Sequence, residues 1–235
     1  HYGNTHVPYL VDDEDAPFSP HRKSRAEADN ELYKNHYKNA VYRQDRAVGE
    51  LVQSLRALPF SDRTVVVYTS DHGEQFREHG QLGHTGSVFD VEIHVPAWID
   101  APADTLSAEE RTALESHARQ PTFHIDITPT ILDLMGLWDA PELEALRRPM
   151  AGISLLRPPL EETRTIALTN CSGVWGCAFE NWGVMRGSRK VLAREWERDW
   201  LCYDVKADPE ELHPRSDCAD LVAEAQRIHK RLPGR

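Results

Sequence analysis

The 235-residue chain is long enough to bury a substantial core, enough for one α/β domain with a small appendage. Apolar residues make up 40% and charged residues 28%, an ordinary globular balance that excludes wholesale disorder. A formal net charge of −11, with no Lys/Arg-rich run to neutralise phosphates, argues against nucleic acid as a partner.

No apolar run reaches the roughly 18 residues that a membrane-spanning helix needs, and no charged segment followed by an apolar one marks a signal peptide. The chain starts at His1 rather than Met, and Tyr2-Gly3-Asn4 runs directly into motif-like sequence. That start suggests a fragment whose upstream part is missing.

In chain order, residues 1–30 are loop-like, with Pro8, Pro17 and Pro20 and an acidic cluster from Asp12 to Asp15. From Glu31 to Leu58 apolar residues recur at three- and four-residue spacing, which predicts a long amphipathic helix stopped by Pro59. Thr64 to Thr69 is a continuous apolar and β-branched run, the pattern of a strand covered on both faces in a parallel sheet. Residues 71–90, rich in Gly and His, read as a functional loop, and Ile93 to Ile99 as a second strand bent by Pro96. Ser107 to Ala118 predicts a surface helix with a Ser cap. His124 to Thr130 opens a short helix over Ile131 to Met135, closed by Gly136.

Residues 139–163 are a Pro-rich, charged connection. Short strands follow at Thr165 to Thr169, Ala178 to Arg186, Lys190 to Ala193 and Trp200 to Tyr203, then a last helix from Asp220 to Leu232. The turn at Arg186-Gly187-Ser188 points to a small antiparallel sheet. Trp175, Trp182, Trp196 and Trp200 read as core of that sheet rather than as a glycan-stacking surface. The organisation expected is therefore a core over residues 1–140, a connection over 141–164 and a small subdomain over 165–235. Cys171, Cys177, Cys202 and Cys218 lack the spacing of a zinc site, leaving either two disulfides or four buried thiols. Asn170-Cys171-Ser172 matches the short glycosylation pattern.

The chemistry concentrates where the first strand ends. In open α/β sheets ligands sit at the carboxyl ends of strands, and here Asp71 and His72 stand side by side at that position. A carboxylate oxygen beside an imidazole nitrogen suits a divalent cation of the zinc or manganese kind. Gly73 lets the backbone turn closely beneath it. His79 and His84 follow on the same loop, and His6 precedes Pro8 in another, which together suggest a metal or polyanion site.

These segments resemble the sulfatase branch of the alkaline phosphatase superfamily. The stretch "VVVYTSDHGEQFREHGQLGHTGSVFDVEIHVPAWI" is similar to the family's strand running into Ser-Asp-His-Gly-Glu, then Gly-His, then a Val-Pro strand. "THVPY" at 5–9 resembles the Thr-His-x-Pro-Tyr loop, and "YKNAVYRQDRAVGELVQSL" the helix after it. "HIDITPTILDLMG" resembles the Asp-Ile-x-Pro-Thr helix and "CYDVKADPEELHP" the terminal Tyr-Asp-x-x-x-Asp-Pro-x-Glu element, all in the family's order.

The resemblance implies an α/β fold, alkaline-phosphatase-like, with a mixed, mostly parallel sheet flanked by helices and a small C-terminal antiparallel sheet. It makes Asp71 and His72 ligands of one divalent metal ion (Zn, Mn or Ca). His84 becomes the catalytic group at the leaving oxygen and, with His6, a contact for the substrate's anionic group. Glu74 would buttress the loop by hydrogen bonding or capping, His79 would be a surface residue, and His124, Asp126 and Thr128 would be structural. The family's nucleophile and further acidic ligands have no counterpart here, and none of the four cysteines has the Cys-x-Pro-x-Arg context of formylglycine maturation.

The function implied is a metal-dependent hydrolase of sulfate or phosphate esters of small molecules, glycans or lipids, completed by the N-terminal half of the same polypeptide. It is expected outside the cytoplasm, periplasmic or secreted, or as the soluble domain of a membrane-anchored protein. The same residues allow a phosphoethanolamine or glycerophosphate transferase acting on envelope lipids or glycans, or a non-catalytic binding relative.

Overall fold

The computed structural model of the chain describes residues 3, 5–84, 86–169 and 180–229. The expected long helix is α1, Asn30–Arg56. Its buried residues, Tyr33, His36, Asn39 and Ala40, all lie in its first half, where Tyr33 and Ala40 pack with Tyr9 and Phe76. Polar anchors fasten both ends. Asn30 donates to the Phe76 carbonyl at 2.8 Å and Lys34 pairs with Glu78 at 2.6 Å. At the other end Arg56 grips the Asp100 carboxylate and donates to the carbonyls of Ser61 and Thr64 at 3.0 and 2.8 Å.

Next come β1 (Val66–Thr69), the two-residue strands β2 (Gln75–Phe76) and β3 (Leu82–Gly83), helical turn α2 (Asp90–Ile93) and β4 (Ala97–Asp100). β1 pairs antiparallel with β4, Val66 opposite Asp100 and Thr69 opposite Ala97. Two strand-level expectations are thereby corrected. Among the described residues β1 has β4 as its partner and no parallel neighbour, and all four of its residues are partly exposed rather than covered on both faces. The chain leaves the ladder at Thr69 and re-enters at the same end at Ala97, which makes the pair antiparallel. The second correction concerns Ile93, which ends α2 instead of starting a strand, because Pro96 cannot donate to a ladder and β4 begins only after it.

Helix α3, Ala108–His117, carries the anticipated cap: Ser107 Oγ accepts from Glu110 N, and Glu110 returns the bond to Ser107 N at 2.7 Å. Helix α4, Ile127–Leu134, starts four residues earlier than the pattern indicated. Directly before it, fully buried Asp126 accepts from Phe123 N at 3.0 Å and Ile153 N at 2.9 Å, and takes both Arg164 nitrogens at 2.7 Å. The connection that contains the short helix α5, Glu144–Arg147, is pulled back onto the core by these bonds. It passes so close that a Cβ on Gly152 would stand 1.8 Å from the Ile125 carbonyl oxygen, so only glycine fits.

The C-terminal sheet has the expected antiparallel form, β5 (Thr165–Leu168), β6 (Asn181–Arg186), β7 (Arg189–Arg194) and β8 (Leu201–Asp204) in that spatial order. Helix α6, Ala219–Ile228, packs its Leu221 and Ala225 on one face over Val184, Val191 and Cys202. A Cys202–Cys218 disulfide ties β8 to the start of α6, which settles one pairing; Cys171, Cys177 and the Asn170–Ser172 pattern lie outside the described residues. Trp182 is buried as core and Trp200 packs against the α6 cluster, but Trp196 is 49% exposed, its ring covered from one side by Arg194 at 5.1 Å. Trp175 lies outside the described residues.

Asp126→Ala removes the carboxylate that pairs with Arg164 and strands that guanidinium, which is expected to lower the unfolding free energy by about 3–5 kcal/mol in urea titrations followed by circular dichroism. A loss below about 1 kcal/mol would contradict this anchoring role.

Candidate active site

The segment between β1 and β4 folds into a compact loop whose shape follows from its hydrogen bonds. β2 and β3 form a miniature hairpin with Gln75 opposite Gly83. Extending that register by one position puts Glu74 beside His84, and the Glu74 carboxylate accepts from His84 Nδ1 at 3.1 Å. Glu74 is only 7% exposed, so the pair is partly desolvated. Hydrogen bonding to Glu74 raises the His84 pKa above the ordinary histidine value, against the opposing effect of burial. Because Nδ1 carries the proton toward Glu74, Nε2 is the nitrogen left for other chemistry.

His72 is held in a similar way. Its Nδ1 lies 2.8 Å from the Gly73 carbonyl, which can only accept, so Nδ1 is protonated and Nε2 presents a lone pair. That Nε2 faces Asp71 Oδ2 at 3.9 Å. A divalent ion would be held by these two atoms, and orientation of a ligand imidazole through its other nitrogen is the usual arrangement around metals. The Asp71 carboxylate is exposed, with 77% of its side chain accessible, and so remains free to turn toward an ion. The donor set fits a divalent cation, with the rest of the shell supplied from elsewhere.

The rings of His72 and His84 stack at 4.0 Å, and His6 meets His84 edge-on at 5.3 Å. Asp71, His72 and His6 line one small cleft of about 60 Å³, together with Thr5, Tyr37 and Glu74. All four candidate residues singled out in the sequence thus converge, although they come from two separate loops. His79 does not join them: its ring lies flat on Phe89 at 3.6 Å, and burial together with Arg194 lowers its pKa.

Four supporting residues carry more weight than their sequence context indicated. His124, read only as structural, donates from Nε2 to the Ser70 carbonyl at 2.8 Å and so holds the backbone just before Asp71. Tyr9 and Tyr37 close around Glu74, and burial, reinforced by the nearby carboxylate, raises both phenol pKa values, that of Tyr37 to about 12. Glu92 is fully buried, and its carboxylate accepts from Gly86 N at 3.1 Å, from Ser87 Oγ at 2.7 Å and from the Gln75 amide. Its own carbonyl takes Gly73 N at 2.7 Å. Tyr9, Tyr37 and Glu92 all lie in the family-like segments of the sequence, but no short-range pattern there indicates these contacts.

A different cluster, Cys202, Asp217 and Cys218, also brings potential ligand atoms together. Its two sulfurs are joined to each other, so it offers no thiolates to a metal.

Comparison with known proteins points in one direction. The sequence profile of the family described as Sulfatase matches residues 1–137. Arylsulfatase K of Bos taurus is 32% identical over 181 residues, covering 72% of this chain and 30% of that protein. A choline-sulfatase of Rhizobium meliloti (strain 1021) is 33% identical over 170 residues, with the same coverage of 72% and 30%. Among solved structures, a phosphonate monoester hydrolase of Agrobacterium radiobacter superimposes with a TM-score of 0.60 at 22% identity, over 89% of this chain and 42% of that one. BT4656, solved with its substrate D-glucosamine-2-N,6-O-disulfate, gives a TM-score of 0.57 at 20% identity over 86% and 40%. The chain therefore spans about 30% of the length of the curated relatives it matches, and its fold is shared with the solved structures.

Gly73 sits where a Cβ would stand 2.2 Å from the Val91 carbonyl oxygen. Gly73→Ala is expected to force the loop away from α2, destabilising the protein by about 1–3 kcal/mol and weakening divalent metal binding, measured by thermal melting and metal titration. Unaltered metal binding in this variant would show that the close approach does not shape the cleft.

Proposed function

The chain belongs to the sulfatase family, and we propose that it is the C-terminal part of a metal-dependent catalytic domain that hydrolyses sulfate esters. The observation carrying this reading is the convergence of Asp71, His72 and His6 on one cleft, with His84 stacked on His72 beside it. Asp71 and His72 are the protein ligands from this chain to one divalent cation. When bound, that ion screens the sulfate charge and lowers the pKa of an oxygen nucleophile.

The remaining work falls to side chains described above. His6, with an exposed ring at the cleft mouth, contacts the anionic group. His84, oriented by Glu74, keeps an Nε2 proton available and passes it to the departing ester oxygen as the sulfur–oxygen bond breaks. The raised pKa of His84 suits a proton donor near neutrality. An oxygen nucleophile from the N-terminal half of the same polypeptide attacks sulfur in line, and water then releases sulfate.

Further features support the need for that N-terminal half. Val41, Leu51, Leu58 and Phe60 are each about 40% exposed, and β1 is only partly covered. The rest of the domain would bury these apolar side chains. The Cys202–Cys218 disulfide favours an oxidising, extracytoplasmic setting. Among the described residues no helix is long and apolar enough to cross a membrane. The relatives named for arylsulfatase and choline-sulfatase activity, and the neighbour solved with a glucosamine disulfate, favour small organic or carbohydrate sulfate monoesters as substrates.

In the full-length protein, Asp71→Ala and His72→Ala are each expected to weaken divalent metal binding by at least about tenfold, measured by elemental analysis after dialysis. Unchanged metal content would overturn the ligand assignment. His84→Ala is expected to lower kcat on an aryl sulfate by about 10²–10⁴-fold, while His79→Ala retains kcat; equal losses in the two variants would contradict the role given to His84.

A further inference from the structure

The ammonium of Lys190 is wholly enclosed, with no accessible surface, at the second residue of β7. It donates to the Val88 carbonyl at 3.0 Å and to the Asp90 carboxylate, and forms an ion pair with Glu211 Oε1 at 2.7 Å. Glu211 is itself 2% exposed and accepts from Asp90 N through its other oxygen at 2.5 Å. This closed arrangement joins β7 and the terminal Asp-Pro-x-Glu element to the segment that runs from the His84 loop into α2.

Alternation along β7 reinforces the contact. Lys190, Leu192 and Arg194 share one face, while Val191 points the other way into the α6 cluster. On the first face Leu192 packs with Val88, Phe89 and Tyr203, and Arg194 lies over Phe89 at 5.4 Å while donating to the His79 carbonyl at 3.1 Å. A buried charge contributes direction as well as attraction: hydrogens on one nitrogen locate a backbone carbonyl and the Asp90 carboxylate while the charge draws in Glu211.

The path onward is short. Asp90 begins α2, whose Glu92 binds Gly73 through its carbonyl and Gly86 and Ser87 through its carboxylate. Gly73 follows His72, and Gly86 lies two residues beyond His84. The same turn therefore sets the position of both halves of the candidate active site.

We propose that Lys190 is a positioning residue that, through Val88, Asp90 and α2, holds the Asp71–His72 pair in register with His84, making the C-terminal sheet part of the catalytic unit. The inference rests on the sulfatase reading of that cleft for its catalytic consequence, but its structural content is measurable independently.

The test uses the full-length protein with isotope-labelled histidine. In Lys190→Met, the ring-current-shifted signals of the stacked His72 and His84 are expected to move, and kcat on an aryl sulfate to fall by about tenfold to a hundredfold with KM changed much less. Arg189→Ala, on the same strand but in a surface pair with Asp220, is the control and is expected to alter neither readout. Should Lys190→Met fail to fold, Glu211→Gln replaces one charged partner by a neutral amide at constant volume and is expected to shift the same signals to a smaller extent. A folded Lys190→Met, or failing that Glu211→Gln, with unmoved His72 and His84 signals and unchanged kcat overturns the proposal. Signals that move in a protein that turns over no sulfate ester in any form leave Lys190 as the positioning residue and instead defeat the catalytic reading.

Discussion

The arrangement of the cleft depends on the buried turn at α2. Glu92 has no accessible surface, yet its carboxylate and its carbonyl together bind one residue of β2, two residues of the His84 loop and the backbone directly after His72. Burial raises the Glu92 pKa, and the donors around it oppose that shift. A buried acceptor with several donors is strongly directional, because any displacement leaves one of them unpaired. The two ends of the single connection between β1 and β4 are thereby held against a common centre.

Electrostatic pairing extends the same logic outward. Asp126 with Arg164, Arg56 with Asp100, and Lys190 with Asp90 and Glu211 each join segments far apart in the chain. Such pairs contribute less to stability than apolar burial does, but each one specifies which segments meet. The Asp71 carboxylate, by contrast, stays exposed at the cleft.

Much of the secondary structure was legible in the sequence because it depends on local pattern. The period of α1, the capping box of α3, and the antiparallel C-terminal sheet with its turn at Gly187 emerge from residue spacing and turn chemistry. The pairing of β1 was not legible. A short apolar run looks alike whether its neighbours lie parallel or antiparallel, and β4 enters the ladder only because the loop returns to the end it left. The start of α2 was likewise obscured, since Val-Glu-Ile beside Val-Pro-Ala-Trp reads as one β-rich stretch until Pro96 is given its full weight.

What the sequence by itself determined was the chemical inventory: Asp71 and His72 at a strand end, a Gly-His pair a dozen residues on, and a His-x-Pro loop near the start. Those choices depend on residue type, which the chain states directly. Only the tertiary structure decided which histidines act together. His79 and His84 lie on the same loop, but the hairpin register aligns His84 with Glu74, whereas Phe89 and Arg194 draw His79 onto the C-terminal sheet. Register and long-range packing set those partners, and neither is encoded in any short window of residues.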